Sequence, residues 1–201
     1  MAKLALNKST LNREGKNLKA YRQFVPALDL KRKQLMAARV KIRNDLLVFQ
    51  QTLDTLKLQI NEEFSVLATA EIDVDRLVKV EAIELDYYNL VGLQLPKLGR
   101  FSVESQQYSK LATPLWFDPL VLNLQQSVRL EAEVMIAQRQ LCLLDEGLRK
   151  TTQRLNLFDK VLIPTTEKNI RKIKIALSDA ERAGVVRAKI AKNKRRRLAF
   201  T

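Results

Sequence analysis

The sequence predicts a mainly α protein: a long antiparallel two-helix coiled coil with a small central head that contains a short β-hairpin. Three observations predict it. Only five Gly and five Pro occur in 201 residues, while the good helix formers Ala, Leu, Lys, Arg, Gln and Glu are abundant. Apolar residues recur at coiled-coil spacing toward both ends of the chain. Between those ends lies a stretch that alternates instead and carries turn residues.

Residues 1–70 form the first predicted helix. Leu4, Leu11 and Leu18 repeat every seven residues, and after a shift near Pro26 the series resumes as Leu28, Leu35, Ile42, Phe49 and Leu56. Leu46, Leu53 and Ile60 interleave, giving the alternating spacing of a coiled-coil seam. At ~1.5 Å per residue this is a helix of roughly 100 Å. Residues 71–118 form the predicted head. Ile83, Leu85 and Tyr87 share one parity, as do Leu93 and Leu95, with "NLVG" between them. "LATPLWFDPL" then reads as an irregular link, with Trp116 as a packing anchor and Asp118 or Pro119 opening the next helix.

Residues 119–195 form the second long helix and 196–201 a basic tail. Val134, Ala137, Leu141, Leu144, Leu148, Thr151, Leu155, Phe158 and Leu162 make its seam, which resumes as Ile170, Ile173, Leu177, Ala180 and Gly184. The step from Leu162 to Ile170 is eight residues, so the phase slips by one where Pro164 sits. Proline removes a helical hydrogen bond and crowds the preceding turn, which gives a kink there a cause. Folding the helices back on each other places Pro26 opposite Pro164, a shared bend, and Leu4 opposite Val186. The chain end then projects past the amino terminus. "SDAE" at Ser178–Glu181 matches a helix-capping pattern but lies inside this seam, so it reads as mid-helix. Cys142, beside Leu141, reads as a small half-buried apolar residue.

The formal charge is +14 and unevenly spread. Residues 1–50 hold twelve basic and three acidic side chains (net +9), residues 51–148 eight and fifteen (net −7), and residues 149–201 sixteen and four (net +12). A hairpin brings the two basic ends together, and a field of that size calls for a negative or strongly polar partner. The chain has no histidine, so the usual neutral-pH proton shuttle and the His-assisted nucleophiles are missing. Gly15-Lys16 is followed by Asn17 and makes no phosphate-binding loop. The neighbours Glu62-Glu63 and Asp145-Glu146 diverge by about 100° on a helix and make no acid/base pair. The expectation is a non-catalytic chain with no cofactor and no metal. No apolar run is long enough to span a bilayer, the start lacks a signal-peptide core, and one cysteine suits a reducing compartment. A cytoplasmic chain without membrane insertion is expected.

Two long stretches carry a resemblance. "ALNKSTLNREGKNLKAYRQFVPALDLKRKQLM" resembles the opening signature of the D subunit of the V-type/A-type rotary ATPases, and "TTQRLNLFDKVLIPTTEKNIRKIKIALSDAERAGVVRAKIAKNK" is similar to that family's carboxyl-terminal signature. "YNLVGLQLPKL" resembles its hairpin turn, with Leu90-Val91 where a more Ile-Ala-like pair is expected. The resemblance implies a central rotor shaft that binds no nucleotide and carries torque. It threads a ring of paired A-type catalytic and B-type regulatory subunits, joins a small companion, the F subunit of the central stalk, and meets a funnel-shaped socket above the membrane rotor. The complex is peripheral on the cytoplasmic face and couples ATP turnover to H⁺ or Na⁺ movement. On this reading Lys168, Arg171, Lys172, Lys174, Arg182, Arg187 and Lys189 face the ring's inner wall, and Ala176, Ala180, Ala183, Gly184, Ala188 and Ala191 keep that end thin. The rivals are a basic nucleic-acid-binding coiled coil, carried by "KIAKNKRRR", and a generic scaffold. The first lacks aromatic residues among its basic ones, and no nucleic acid is expected as a partner.

Overall fold

The computed structural model describes residues 4–63, 77–105 and 114–198. The fold class is the predicted one, a mainly α coiled coil with a small two-stranded hairpin. Helix α1 spans Lys8–Glu63, strand β1 Val78–Leu90, strand β2 Leu93–Ser105 and helix α2 Phe117–Asn156. A π-helical segment, Leu157–Leu162, follows and leads into helix α3, Ile163–Leu198. The expected extension of the first helix to Ala70, the head residues 71–76 and 106–113, and the tail end 199–201 lie outside the described residues. The helix includes the first residues of the stretch set aside as a basic tail.

The chain forms two compact units, Met1–Leu30 with Thr151–Thr201 and Lys31–Lys150. In the second unit α1 and α2 run antiparallel. Arg39 Nε lies 2.6 Å from Asp145 and Lys57 Nζ 3.1 Å from Glu131, so partners on one helix rise as those on the other fall. These pairs are about half exposed and stabilise little, at most ~1 kcal/mol each. The apolar seam does more. Leu35, Ile42, Leu95, Ala137 and Leu144 form one buried cluster, and Leu77, Phe117, Leu120 and Val121 form another. Each fully buried aliphatic side chain contributes roughly 1.5–3 kcal/mol. Trp116 only borders the second cluster, whose buried residues are Leu77, Phe117, Leu120 and Val121.

The hairpin lies along this pair of helices. Leu95 is fully buried between them, and Leu93 reaches Gly147, where an added Cβ would collide with the Leu93 Cδ1. The absence of a side chain at Gly147 is therefore what lets the strand approach the helix. Val91 and Gly92 both hold positive φ, 52° and 83°, the signature of a two-residue hairpin turn that follows the strand twist. Gly92 donates its N–H to Asn89 Oδ1 at 2.7 Å. Two bulges break the ladder, between Val80/Ala82 and Ile83/Leu85. The first places an extra residue on β1 and the second an extra residue on β2, so the register at the strand ends agrees. Gly99 stands at the second bulge. A Cβ there would lie 2.8 Å from Asp86 Oδ2 and 3.0 Å from the Glu84 carbonyl, so a side chain at this position would have to push the Asp86 carboxylate aside and press on the β1 backbone.

In the first unit, Asn7 caps α1 by accepting the Thr10 N–H at 2.7 Å. Phe158 lies between Tyr21 and Phe24, at ring-centroid distances of 5.4 and 6.0 Å. Arg22, one turn before Pro26, binds Glu167, nearly one turn after Pro164, at 2.7 Å. Pro26 lies inside α1 without ending it. Pro164 follows the π-helical segment, where the Ile163 N–H reaches back five residues to the Phe158 carbonyl. A π turn takes up one extra residue, so this segment is the physical form of the one-residue phase slip in the seam.

Candidate functional site

Helix α3 carries the strongest charge concentration. It forms readily because strong helix formers fill most of it; beyond Pro164 in its first turn, Gly184 is the costly residue, at ~1 kcal/mol. Its inner side is set by Ile170, Ile173 and Leu177, of which Ile173 is fully buried. At ~100° per residue, Lys168, Arg171, Lys172, Arg182 and Lys189 gather on the opposite side, with Lys174 and Arg187 on its flanks. All seven are exposed, and none makes an ion pair with a described residue. Arg187 instead donates from Nε to the Ala183 carbonyl at 3.2 Å, folding its head back on the helix.

One expectation is corrected here. The seam does not continue through Ala180 and Gly184. Every residue from Asp179 to Arg196 is exposed, because α1 begins only at Lys8 and offers these positions no partner. Leu4 stands ahead of that helix, and Val186, set opposite it by the pairing arithmetic, is 56 % exposed. Eighteen residues, ~27 Å of helix, thus present their whole circumference. Val185 and Ile190 are exposed on it alongside Val186. The "SDAE" stretch lies inside α3, as expected.

Cys142 is also corrected: it is exposed, since one residue beyond Leu141 turns it about 100° away from the seam. A different feature, the cleft beneath the hairpin, was not signalled by any motif. Ala38, Ile42, Phe49, Leu98 and Ala137 line it, with Asp45 and Tyr88 among its polar residues, and its volume is about 730 Å³. Burial first, and the nearby Asp45 carboxylate second, push the Tyr88 phenol above its ordinary value. On the exposed side of α2, a hydrogen bond from Lys150, together with its charge, holds Glu146 below the ordinary carboxylate value. The alternation around the turn gave the hairpin, but Gly147, which seats it, had no signal beyond being a glycine within a strong helix.

The geometry can hold an apolar or anionic surface along α3; its described residues assemble no reaction centre there. No helix among the described residues is long and apolar enough to cross a membrane. Comparison with known proteins gives one family throughout. Residues 10–193 match the family of the ATP synthase D subunit. The chain is 34 % identical to the V-type ATP synthase D subunit of Borreliella burgdorferi, over 96 % of this chain and 95 % of that one. It is 31 % identical to the protein of the same name from Chlamydia trachomatis, over 96 % of each, and 32 % identical to that of Chlamydia muridarum, again over 96 % of each.

Proposed function

The chain belongs to the ATP synthase D subunit family, and from that premise we propose that it is the central rotor shaft of a V/A-type rotary ATPase. It transmits torque between the ATP-hydrolysing or ATP-synthesising ring and the ion-translocating membrane rotor, and catalyses nothing itself. The observation that carries this reading is the end of α3. A bare, basic helix with exposed apolar residues and no partner among the described residues of its own chain suits a thin axle end that turns inside a sleeve. The seven basic residues named above make screened, transient contacts with the ring's inner wall, because fixed salt bridges would resist rotation. The coiled coil supports stiffness. The π-helical segment and Pro164, with Pro26 on α1, supply a bend, so that one rotational angle favours a different state at each of three equivalent ring sites. The remaining partners are the companion F subunit and the funnel-shaped socket, met through the acidic middle of the chain, and the complex sits on the cytoplasmic face.

Reconstitution tests this. A ring of A- and B-type subunits lacking its shaft should regain rotation-coupled ATP hydrolysis when the purified chain is added. Binding to DNA that weakens with salt, with no effect on the ring, would instead favour the nucleic-acid reading.

A further inference from the structure

The two outer edges of the hairpin differ. On β2, Pro96 has no N–H to offer an incoming strand, and its carbonyl accepts a hydrogen bond from Gln140 Nε2. The backbone groups of one residue in an antiparallel strand point to the same side, so Pro96 faces away from β1 and toward α2. At Pro96 that edge is closed to an incoming strand. β1 contains no proline, and no hydrogen bond from another described element reaches it. Among the described residues nothing pairs with the row of backbone donors and acceptors on the outer side of its thirteen residues.

The side chains of β1 point the same way. Ile83, Leu85 and Tyr87, the row of equal parity, are 49, 43 and 64 % exposed, whereas the partner strand buries Leu95. Glu81, Glu84 and Asp86 share the strand with a single cation, Lys79. None of the three carboxylates makes an ion pair with a described residue, in a chain whose net charge is +14. Uncovered apolar residues alternating with unpaired carboxylates are the complement of an extended segment that alternates apolar and basic residues.

We propose that β1 is a docking edge, and that an extended, basic-and-apolar segment of a partner subunit adds to it as a third strand. The proposal rests on the shaft reading above, which supplies an assembly in which such a partner exists. A second copy of this chain fits poorly, since pairing β1 with β1 would set carboxylate against carboxylate. A docked helix would leave the open row of backbone groups unpaired.

Hydrogen–deuterium exchange tests the proposal, on the chain alone and in the rotary complex it assembles with. In the complex, alternate amides of β1 should exchange slower by on the order of tenfold or more. Combining Glu81→Lys, Glu84→Lys and Asp86→Lys should abolish that protection while the chain keeps its circular dichroism and melting temperature. A chain that enters the complex with β1 exchanging as freely as before overturns the proposal. So does protection that appears in the isolated chain as its concentration rises, which would assign the edge to self-association. If the chain enters no rotary complex, the shaft reading fails, and a short peptide alternating valine and lysine decides the edge by itself. That peptide should protect β1, and its backbone-methylated version should not; equal binding of the two, or of neither, overturns the proposal.

Discussion

Val91 holds φ at +52°, where a β-branched side chain crowds its own backbone at a cost of roughly 1–2 kcal/mol. Asn tolerates that conformation and is favoured at the first centre position of such turns. Val91→Asn should therefore raise the stability read from urea unfolding by about 1 kcal/mol, and a fall would mean that the half-buried valine packs more than its backbone strains. "NLVG" located the turn because two apolar strands flanked it, but the strain at Val91 was illegible, since nothing in its identity announces a left-handed backbone. Tyr88 gives a pH-dependent case. Its folded-state pKa is raised above the ordinary 10.0, so its contribution to stability is complete below about pH 10 and lost as pH rises through the folded value. Tyr88→Phe should flatten the alkaline fall in melting temperature. Asp45→Asn should move the phenol's titration, followed by tyrosinate absorbance, only part of the way back, because burial is the larger cause.

At the scale of elements, three helical glycines separate propensity from packing. Gly15 and Gly184 have nothing within 4 Å of an added Cβ, so Gly15→Ala and Gly184→Ala should each stabilise by ~0.5–1 kcal/mol. Gly147→Ala gains the same propensity but pushes Leu93 off its seat, and overpacking typically costs about 1–3 kcal/mol. It should be neutral to destabilising by thermal melting, and stabilisation equal to that at Gly15 would show that the hairpin is not seated there. The seams themselves were legible. Leu35, Ile42, Leu53, Leu56, Ala137, Leu144 and Ile173 are all buried where the heptad spacing set them. The slip between Leu162 and Ile170 was legible as a number and became a π turn. Where the seam stops was not legible, because Ala180 and Gly184 keep its spacing whether or not a second helix is present to cover them. Burial depends on the partner's length, and no local pattern encodes that.

Over the whole molecule, charge and burial separate cleanly, and this makes the shaft reading testable without disturbing the fold. Counting charges along the chain exposed the basic ends and acidic middle. It marked one boundary of the two units and not the other: Lys150/Thr151 falls within two residues of the change from acidic to basic, whereas Leu30/Lys31 falls inside a continuous helix that is basic on both sides. None of Asp179–Arg196 is buried, so truncation after Ser178 should leave stability within about 0.5 kcal/mol of the full chain. On the shaft reading the same truncation should abolish coupled hydrolysis in the reconstituted ring. A subtler variant separates charge from length. Changing Lys168, Arg171, Lys172, Arg182 and Lys189 to Gln removes five positive charges from one face and no packing, since each is exposed. If those charges act through screened contacts, the variant should lower coupled hydrolysis at low salt and match the native chain near 1 M salt, where the Debye length is ~3 Å. A deficit that persists undiminished at high salt would mean that the side chains act through shape or specific hydrogen bonds. No deficit at either salt would leave the apolar residues of the bare helix, Val185, Val186 and Ile190, as its points of contact.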